Sequence, residues 1–396
     1  MNKPSILSDA DLCVMCGMCL PQCPTYQLYQ TETESPRGRI ALMQSIEKGR
    51  IEASSSALQH IDHCLGCLNC ESICPSRVPY GKLIDNFRQL HRDSLPKSFS
   101  SKQILKQAAK PDGFEKLGSV ISSPIVKGLL KASSNVTGIP AHLLDKSTTR
   151  LNDFYPAIGS TKQGRVALYT GCTGKQHDAQ TLLDATLLLN HLGFDATIPK
   201  QQACCGAMHQ HNGQQEIAQD LLGSQLSTWQ DQDIQAILFF SPACGSTLQQ
   251  LDTLPFFDIR EFIDKQLQIQ PLTFEACSQA VALHESCSQR NMLKLRELNQ
   301  QLLAHIPGLK LVESTQPSLC CGAGGLQAIQ YPEQGKLLLK QKLNSFDLTQ
   351  TKLLISDNIG CSQHIKSGIS GYNPDLEIIH PVSLLARQLK QINEKA

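Results

Sequence analysis

Sixteen of the 17 cysteines in this 396-residue chain fall into repeated patterns, and these restrict its fold more than any other feature. Residues 13–24 read Cys13-x2-Cys16-x2-Cys19-x3-Cys23-Pro24, and residues 64–75 read Cys64-x2-Cys67-x2-Cys70-x3-Cys74-Pro75. Three thiolates two residues apart wrap a tight turn around one cubane, each on a different iron. The fourth cysteine, set before proline, ligates the other cluster of a two-cluster ferredoxin. This assigns Cys13, Cys16, Cys19 and Cys74 to one 4Fe–4S cluster, and Cys64, Cys67, Cys70 and Cys23 to a second. A zinc site prefers two separated CxxC pairs closing one tetrahedron, which neither run supplies. The 40 residues between Cys23 and Cys64 hold Ser35-Pro36-Arg37-Gly38-Arg39-Ile40, with Ile40, Met43 and Ile46 at helical spacing. Behind Pro79, Leu83, Ile84, Phe87 and Leu90 repeat such a stripe, so helices rather than a small β-sheet hold the clusters. Arg37 and Arg39 read as solvated arginines or as partners of a sulfide cage.

The other patterned cysteines mark a duplication. Cys172, Cys204-Cys205-Gly206 and Cys244 recur as Cys287, Cys320-Cys321-Gly322 and Cys361, at offsets of 115, 116, 116 and 117 residues. A repeat of this length is a duplicated domain, not a solenoid. Apolar stretches over 165–170, 235–240, 280–284 and 352–356 end just before Cys172, Cys244, Cys287 and Cys361, and helical patterns over 181–192 and 334–343 intervene. Such alternation predicts parallel sheets, whose ligands bind beyond the carboxyl ends of the strands. Each copy should therefore gather four thiols at one sheet edge. Four sulfurs suit an iron–sulfur site, a zinc ion or unmetallated thiols, and the residues alone leave all three open. Vicinal cysteines make poor disulfides with each other. His177, His209, His211, His284 and His364 lie near these thiols and take no assigned role. Cys277 reads as a plain small side chain. Gly322-Ala323-Gly324-Gly325 lacks the strand–glycine–helix context of a phosphate loop. The expected organisation is α plus α/β. An α-helical ferredoxin-like domain occupies 1–95, a basic helical linker 96–163, and duplicated α/β Cys-Cys-Gly domains 164–275 and 276–396.

Charge is nearly balanced, with 36 basic against 35 acidic side chains, which excludes a nucleic-acid binder relying on a basic field over the whole molecule. No apolar run approaches the ~20 residues of a membrane span, and the first residues show no secretory signal. An odd cysteine count in such a chain argues against a disulfide scaffold. Residues 97–150 carry nine basic side chains and three acidic ones. This stretch reads as a solvated linker or as a docking surface for an acidic partner or an anionic membrane face.

Two ferredoxin runs followed by two Cys-Cys-Gly domains resemble the glycolate oxidase (glycolate dehydrogenase) family of iron–sulfur subunits. The resemblance rests on Cys13–Pro24 with Thr25-Tyr26-Gln27-Leu28, Ser35–Ile40, Cys64–Pro75, the two Cys-Cys-Gly triplets, and Asn358-Ile359-Gly360-Cys361. It implies an electron-transfer subunit of an oxidoreductase complex. An FAD-bearing partner would oxidise glycolate to glyoxylate, and this chain would pass electrons singly to a quinone or another acceptor. It further implies two 4Fe–4S clusters, no catalytic residue on this chain, and a cytoplasmic location, peripheral on the inner face of the membrane. The equivalent subunits of anaerobic glycerol-3-phosphate and lactate dehydrogenases are related, as is heterodisulfide reductase, which acts at its Cys-Cys-Gly sites. The heterodisulfide reductase pattern ends each copy in CxxC. Here Ser241 and Asn358 stand where its first cysteine would be, which counts against disulfide reduction.

Overall fold

The computed structural model describes residues 7–110, 113 and 149–390, apart from 160, 201, 230–232, 350 and 370. Most of the basic stretch 97–150 lies outside the described residues.

Up to residue 108 every regular element is helical. Ser35 starts the helix Pro36–Glu47, its hydroxyl accepting the Gly38 N–H at 2.9 Å while Pro36 takes the first turn. Ile40 and Met43 point inward from it, and Leu83, Ile84 and Phe87 do the same from Tyr80–Leu90. Leu58 and Ile61 of Ser55–Asp62 complete this core. Leu90, expected on the same stripe, is instead 53% exposed: it is the last residue of its helix and lies beyond the covered face.

Each Cys-Cys-Gly copy is a parallel sheet with helical crossovers. The first comprises β1 (Phe154–Tyr155), β2 (Gly164–Tyr169), β3 (Phe194–Thr197), β4 (Ala236–Phe239) and β5 (Phe256–Asp258), in the order β1-β3-β2-β4-β5. The second comprises β6 (Ala280–His284), β7 (Lys310–Glu313), β8 (Leu353–Ser356) and β9 (Glu377–Ile379), in the order β7-β6-β8-β9. β2 pairs in parallel with β3 and β4, and β4 with β5; β6 likewise pairs with β7 and β8, and β8 with β9, and the equivalent registers Val166↔Ala236 and Val281↔Leu353 confirm the duplication. β1 departs from the expectation: it comes from the segment read as linker and pairs antiparallel with β3.

The two copies share one apolar core, with Val166, Leu168 and Leu238 packed in a single cluster with Val281, Leu283 and Ile355. Next to Ile259 of this core, Arg260, fully buried, bonds Asp258 at 2.6 Å and Asp357 at 2.9 Å. The pair ties the start of a first-copy helix to the strand end of the second.

Candidate metal centres

The two ferredoxin loops share one backbone trick. Met15 (φ 59°) and Gly17 (φ 85°) flank Cys16, and Gly66 (φ 64°) and Leu68 (φ 57°) flank Cys67 at the same offsets. Alternating left-handed residues curl a short chain until the side chains between them face one point. Holding Met15 and Leu68, neither a glycine, in that region costs energy that only an over-determined site recovers. The loops also bring distant cysteines together. Cys13, Cys16, Cys19 and Cys74 line one cavity with about 440 Å³ of open space, walled by Pro36, Ile40, Val78 and Tyr80. Cys70 reaches the same wall. Cys64, Cys67, Cys70 and Cys23 are all buried, and burial pushes the Cys67 and Cys70 thiols well up. The Tyr80 hydroxyl donates to Cys64 Sγ at 3.7 Å.

The Ser-Pro-Arg-Gly-Arg segment serves both loops. Arg37 donates to Met15 O at 2.8 Å from one side and pairs with Glu32 at 2.8 Å from the other, clamping the first loop. A Cβ on Gly38 would lie 1.9 Å from Glu32 O, so only glycine lets the helix pack there. Arg39 is not the solvated arginine that sequence allowed. It is 1% exposed, bonds Glu34 at 2.6 Å, His60 O at 2.7 Å and Thr25 Oγ1 at 2.9 Å, and approaches Cys23 Sγ at 4.0 Å. Glu34 in turn bonds His60 Nδ1 at 2.7 Å and His63 Nδ1 at 2.8 Å. Buried Arg88 holds the second loop, donating to Cys64 O at 2.7 Å and to His211 O of the first copy at 3.1 Å.

In both copies the cysteines follow the strand ends, as the alternation predicts. Each glycine of the triplets has a reason: Gly206 (φ 83°) lets backbone pass Ala218, and Gly322 (φ 90°) does the same against Gly335. In the first copy the thiols form a chain of neighbours, Cys172 to Cys204, Cys204 to Cys205 and Cys205 to Cys244. Hydrogen bonds from Cys172 and Cys205 pull the Cys204 thiol well down. Cys172 lies between two open cavities of about 430 and 420 Å³, the first also lined by Lys175 and Lys200, the second by Asp178, Ser241 and Cys244. In the second copy Cys287 neighbours Cys320, Cys320 neighbours Cys321, and Cys321 Sγ lies 3.1 Å from Cys361 Sγ. This set abuts the ferredoxin loops, with Cys320 and Leu338 packed in one cluster with Leu65 and Cys67, and Cys287 against it. Asn291 Nδ2 donates to Cys67 O at 2.7 Å and Asn69 Nδ2 to Ser318 O at 2.9 Å across the same contact. Asn358 donates to Ser288 Oγ at 2.9 Å. All 17 cysteines are free thiols.

Of the five unassigned histidines, sequence reasoning missed His284: the ligating atoms of His284, Cys321 and Cys361 lie within 4.8 Å of one another, all three buried. Burial pushes its imidazole well down. His209 is also buried, against Leu105 O at 3.0 Å, and His364 bonds Gly335 O at 3.2 Å. Cys277 packs against the shared core, as a plain side chain would.

Eight free thiols at two inward-curled loops, soft ligands in number and type, fit two iron–sulfur clusters. The family model of the 4Fe-4S dicluster domain matches residues 9–78, and that of the cysteine-rich domain matches 166–249 and 281–366. A probable glycolate oxidase iron-sulfur subunit of Bacillus subtilis is 29% identical, with 94% of this chain and 92% of that protein covered. The glycolate oxidase iron-sulfur subunit of Escherichia coli is 26% identical, with 92% of each covered. A hypothetical protein from Helicobacter pylori of known crystal structure shares the fold at 12% identity, with a TM-score of 0.55 over 91% of this chain and 68% of its own. Among the described residues no helix is long and apolar enough to cross a membrane. The chain therefore joins a 4Fe-4S dicluster domain to two copies of the cysteine-rich domain and is a homologue of the glycolate oxidase iron–sulfur subunits.

Proposed function

We propose that this chain is the electron-carrying subunit of a glycolate (2-hydroxy acid) dehydrogenase complex, accepting electrons from an FAD-bearing partner and releasing them to a quinone or similar acceptor. The observation that carries the reading is the shared cavity of Cys13, Cys16, Cys19 and Cys74, a lining that leaves out Cys23. That placement supports crossed ligation, in which Cys13, Cys16, Cys19 and Cys74 hold one cluster and Cys64, Cys67, Cys70 and Cys23 the other. Each bound cluster supplies a site that takes up and returns one electron at a time.

The protein's part is positional. Arg37 and Arg88 fix the two loops, and the helices Pro36–Glu47 and Tyr80–Leu90 exclude water behind them. The first loop is the exposed one: Cys16 is at the surface, and Val14 (69%), Met15 (46%) and Met18 (49%) form an apolar rim around it. Such a rim suits the partner subunit, because a short gap between redox centres requires close, dry contact. Tagged chain isolated from its native host should bring down a flavoprotein, and glycolate should then bleach the cluster absorption of the complex. Isolation of the chain alone, or a complex that glycolate leaves oxidised, would contradict the reading.

One observation favours a second reading. The Cys204 thiol is pulled down and lines the open cavity it shares with Cys172, Lys175 and Lys200, where a thiolate could meet a disulfide. A disulfide substrate would then take two electrons and two protons to leave as two thiols. Ser241, where a fifth thiol would stand, lines the neighbouring cavity instead. Disulfide-dependent oxidation of the reduced complex, lost in Cys204→Ser, would establish this activity.

A further inference from the structure

A cavity of about 420 Å³ opens where the two cysteine-rich copies meet, beyond the carboxyl ends of β2 and β4. Leu182 and Phe240 of the first copy and Ile359 of the second wall it, and Asp178 is the one carboxylic acid lining it among the described residues. It lies on a short path from the second ferredoxin loop. Asn291 of the helical turn Ser288–Leu293 donates to Cys67 O at 2.7 Å, and Leu293 of the same turn packs on the apolar cluster that also carries Cys172 and Cys244, both of which line the cavity.

Behind Asp178 a file of side chains crosses the interface between the copies. Thr181 Oγ1 donates to Asp178 Oδ1 at 2.5 Å, and Ser383 Oγ, from the second-copy helix Pro381–Arg387, donates to Thr181 Oγ1 at 3.2 Å. Both hydroxyls are buried, and both point their protons toward Asp178. Asp184 stands at the far end, beside Ser383. Its Oδ1 accepts from exposed Gln180 at 2.9 Å, while its Oδ2 is buried without a partner among the described residues. A bare buried carboxylate oxygen is costly, and a proton on it removes the cost. Burial raises the Asp184 carboxyl, and it pushes Asp178 up to about 7. Lys366 of the second copy and Arg387 oppose these shifts at Asp178 and Asp184 respectively, and the thiols of Cys172 and Cys244 share the cavity. The arrangement belongs to the first copy alone: 115 residues on from Asp178, the offset of Cys172 and Cys287, stands Leu293.

We propose that this cavity receives the head of a quinone-class acceptor and that Asp184, Ser383, Thr181 and Asp178 form the proton relay that serves it. The proposal rests on the reading of the chain as an electron carrier and adds where the electrons leave. The apolar walls suit a flat ring, and a single acid in them suits an acceptor that must gain protons. A quinone takes two electrons and two protons, its two carbonyls becoming two hydroxyls. The electrons arrive singly from the ferredoxin clusters. Each proton leaves Asp178 for a carbonyl oxygen. Asp178 then regains one from Thr181, Thr181 from Ser383 and Ser383 from Asp184, which water refills. A hydroxyl can do this because its oxygen accepts one proton while giving up another. Two passages complete the quinol.

The test is stopped-flow reoxidation of the full chain, purified anaerobically, reduced with dithionite and desalted. One arm uses a short-chain ubiquinone and the other ferricyanide, which takes an electron and no proton. In Asp178→Asn, which keeps the shape and helix-capping capacity of the aspartate, the quinone rate should fall at least tenfold relative to the ferricyanide rate. Asp178→Glu should recover most of it. Thr181→Val should slow the quinone arm and Thr181→Ser restore it, a pair that holds the test open where the Asp178 variants fold poorly. Because the donor is the acid form, the parent's quinone rate should decline as pH rises through about 7, a limb that Asp178→Asn loses. A reduced parent chain that ubiquinone cannot reoxidise, or equal quinone rates and pH profiles in parent and Asp178→Asn, would overturn the proposal. Clusters that glycolate fails to reduce in the complex would instead count against the electron-carrier reading, since the chemically reduced chain tests the relay without glycolate.

Discussion

Replacing Arg39 with glutamine should lower the midpoint potential of the buried cluster selectively. Arg39 Nη1 lies 4.0 Å from Cys23 Sγ inside a dry shell, and the side chain is 1% exposed. A unit charge at that distance acts with about 4 kcal/mol at an effective dielectric of ~20. The added electron is spread over a cluster centred several ångströms beyond the sulfur, so roughly half of this acts on it. About 2 kcal/mol corresponds to ~90 mV for a one-electron couple. Removing the positive charge disfavours the reduced state, so the shift is negative. The same substitution leaves buried Glu34 without its guanidinium, a loss of roughly 3 kcal/mol, reduced by the bonds Glu34 keeps to His60 and His63. Glu34→Gln combined with Arg39→Gln restores the net charge and should recover most of the potential. An EPR-monitored redox titration of parent, single and double variants reads all three values. Unchanged potentials in Arg39→Gln with full iron content would refute the electrostatic reasoning.

Cys74→Ser should damage the cluster of Cys13, Cys16 and Cys19 first. Spectra showing loss confined to the Cys64 run would overturn the crossed assignment. His380 caps the helix Pro381–Arg387 through Val382 N, and burial holds its imidazole down at about 3. A neutral histidine preferred by the fold contributes stability that is complete above ~6.5 and is lost as pH falls toward 3. The parent should therefore lose roughly 4 kcal/mol over that window, and His380→Asn, which keeps a capping side chain, should show a shallower acid slope in urea melts at pH 4 and pH 7. Cys205→Ser or Cys321→Ser should slow electron delivery from the flavin partner to the acceptor while the ferredoxin iron stays bound. Normal dye and quinone reduction in both variants would leave these thiols only a packing role worth ~1 kcal/mol.

The cysteine spacings already carried the loops, because three ligands two residues apart fix their own turn. The strand ends were equally legible, since parallel strands buried on both faces are continuous apolar runs such as Ala236–Phe239. Arg39 was not. A Pro-Arg-Gly-Arg segment has no local signal saying which arginine turns inward, and its partners Thr25 and His60 are 14 and 21 residues away. His284 was hidden among five histidines, although aligning the copies on their cysteines puts it opposite Tyr169 and marks it as the odd residue at a thiol site. β1 escaped because two residues carry no period, and only tertiary pairing with β3 defines it.

The central claim is that the crossed pair of clusters carries electrons released from a 2-hydroxy acid. Low-temperature EPR of the anaerobically purified complex, before and after glycolate, tests it most directly. The account predicts a silent oxidised state and, after glycolate, signals from two reduced 4Fe–4S clusters close enough to broaden each other. Clusters that dithionite reduces but glycolate leaves silent, in a complex still oxidising glycolate with an artificial dye, would contradict it.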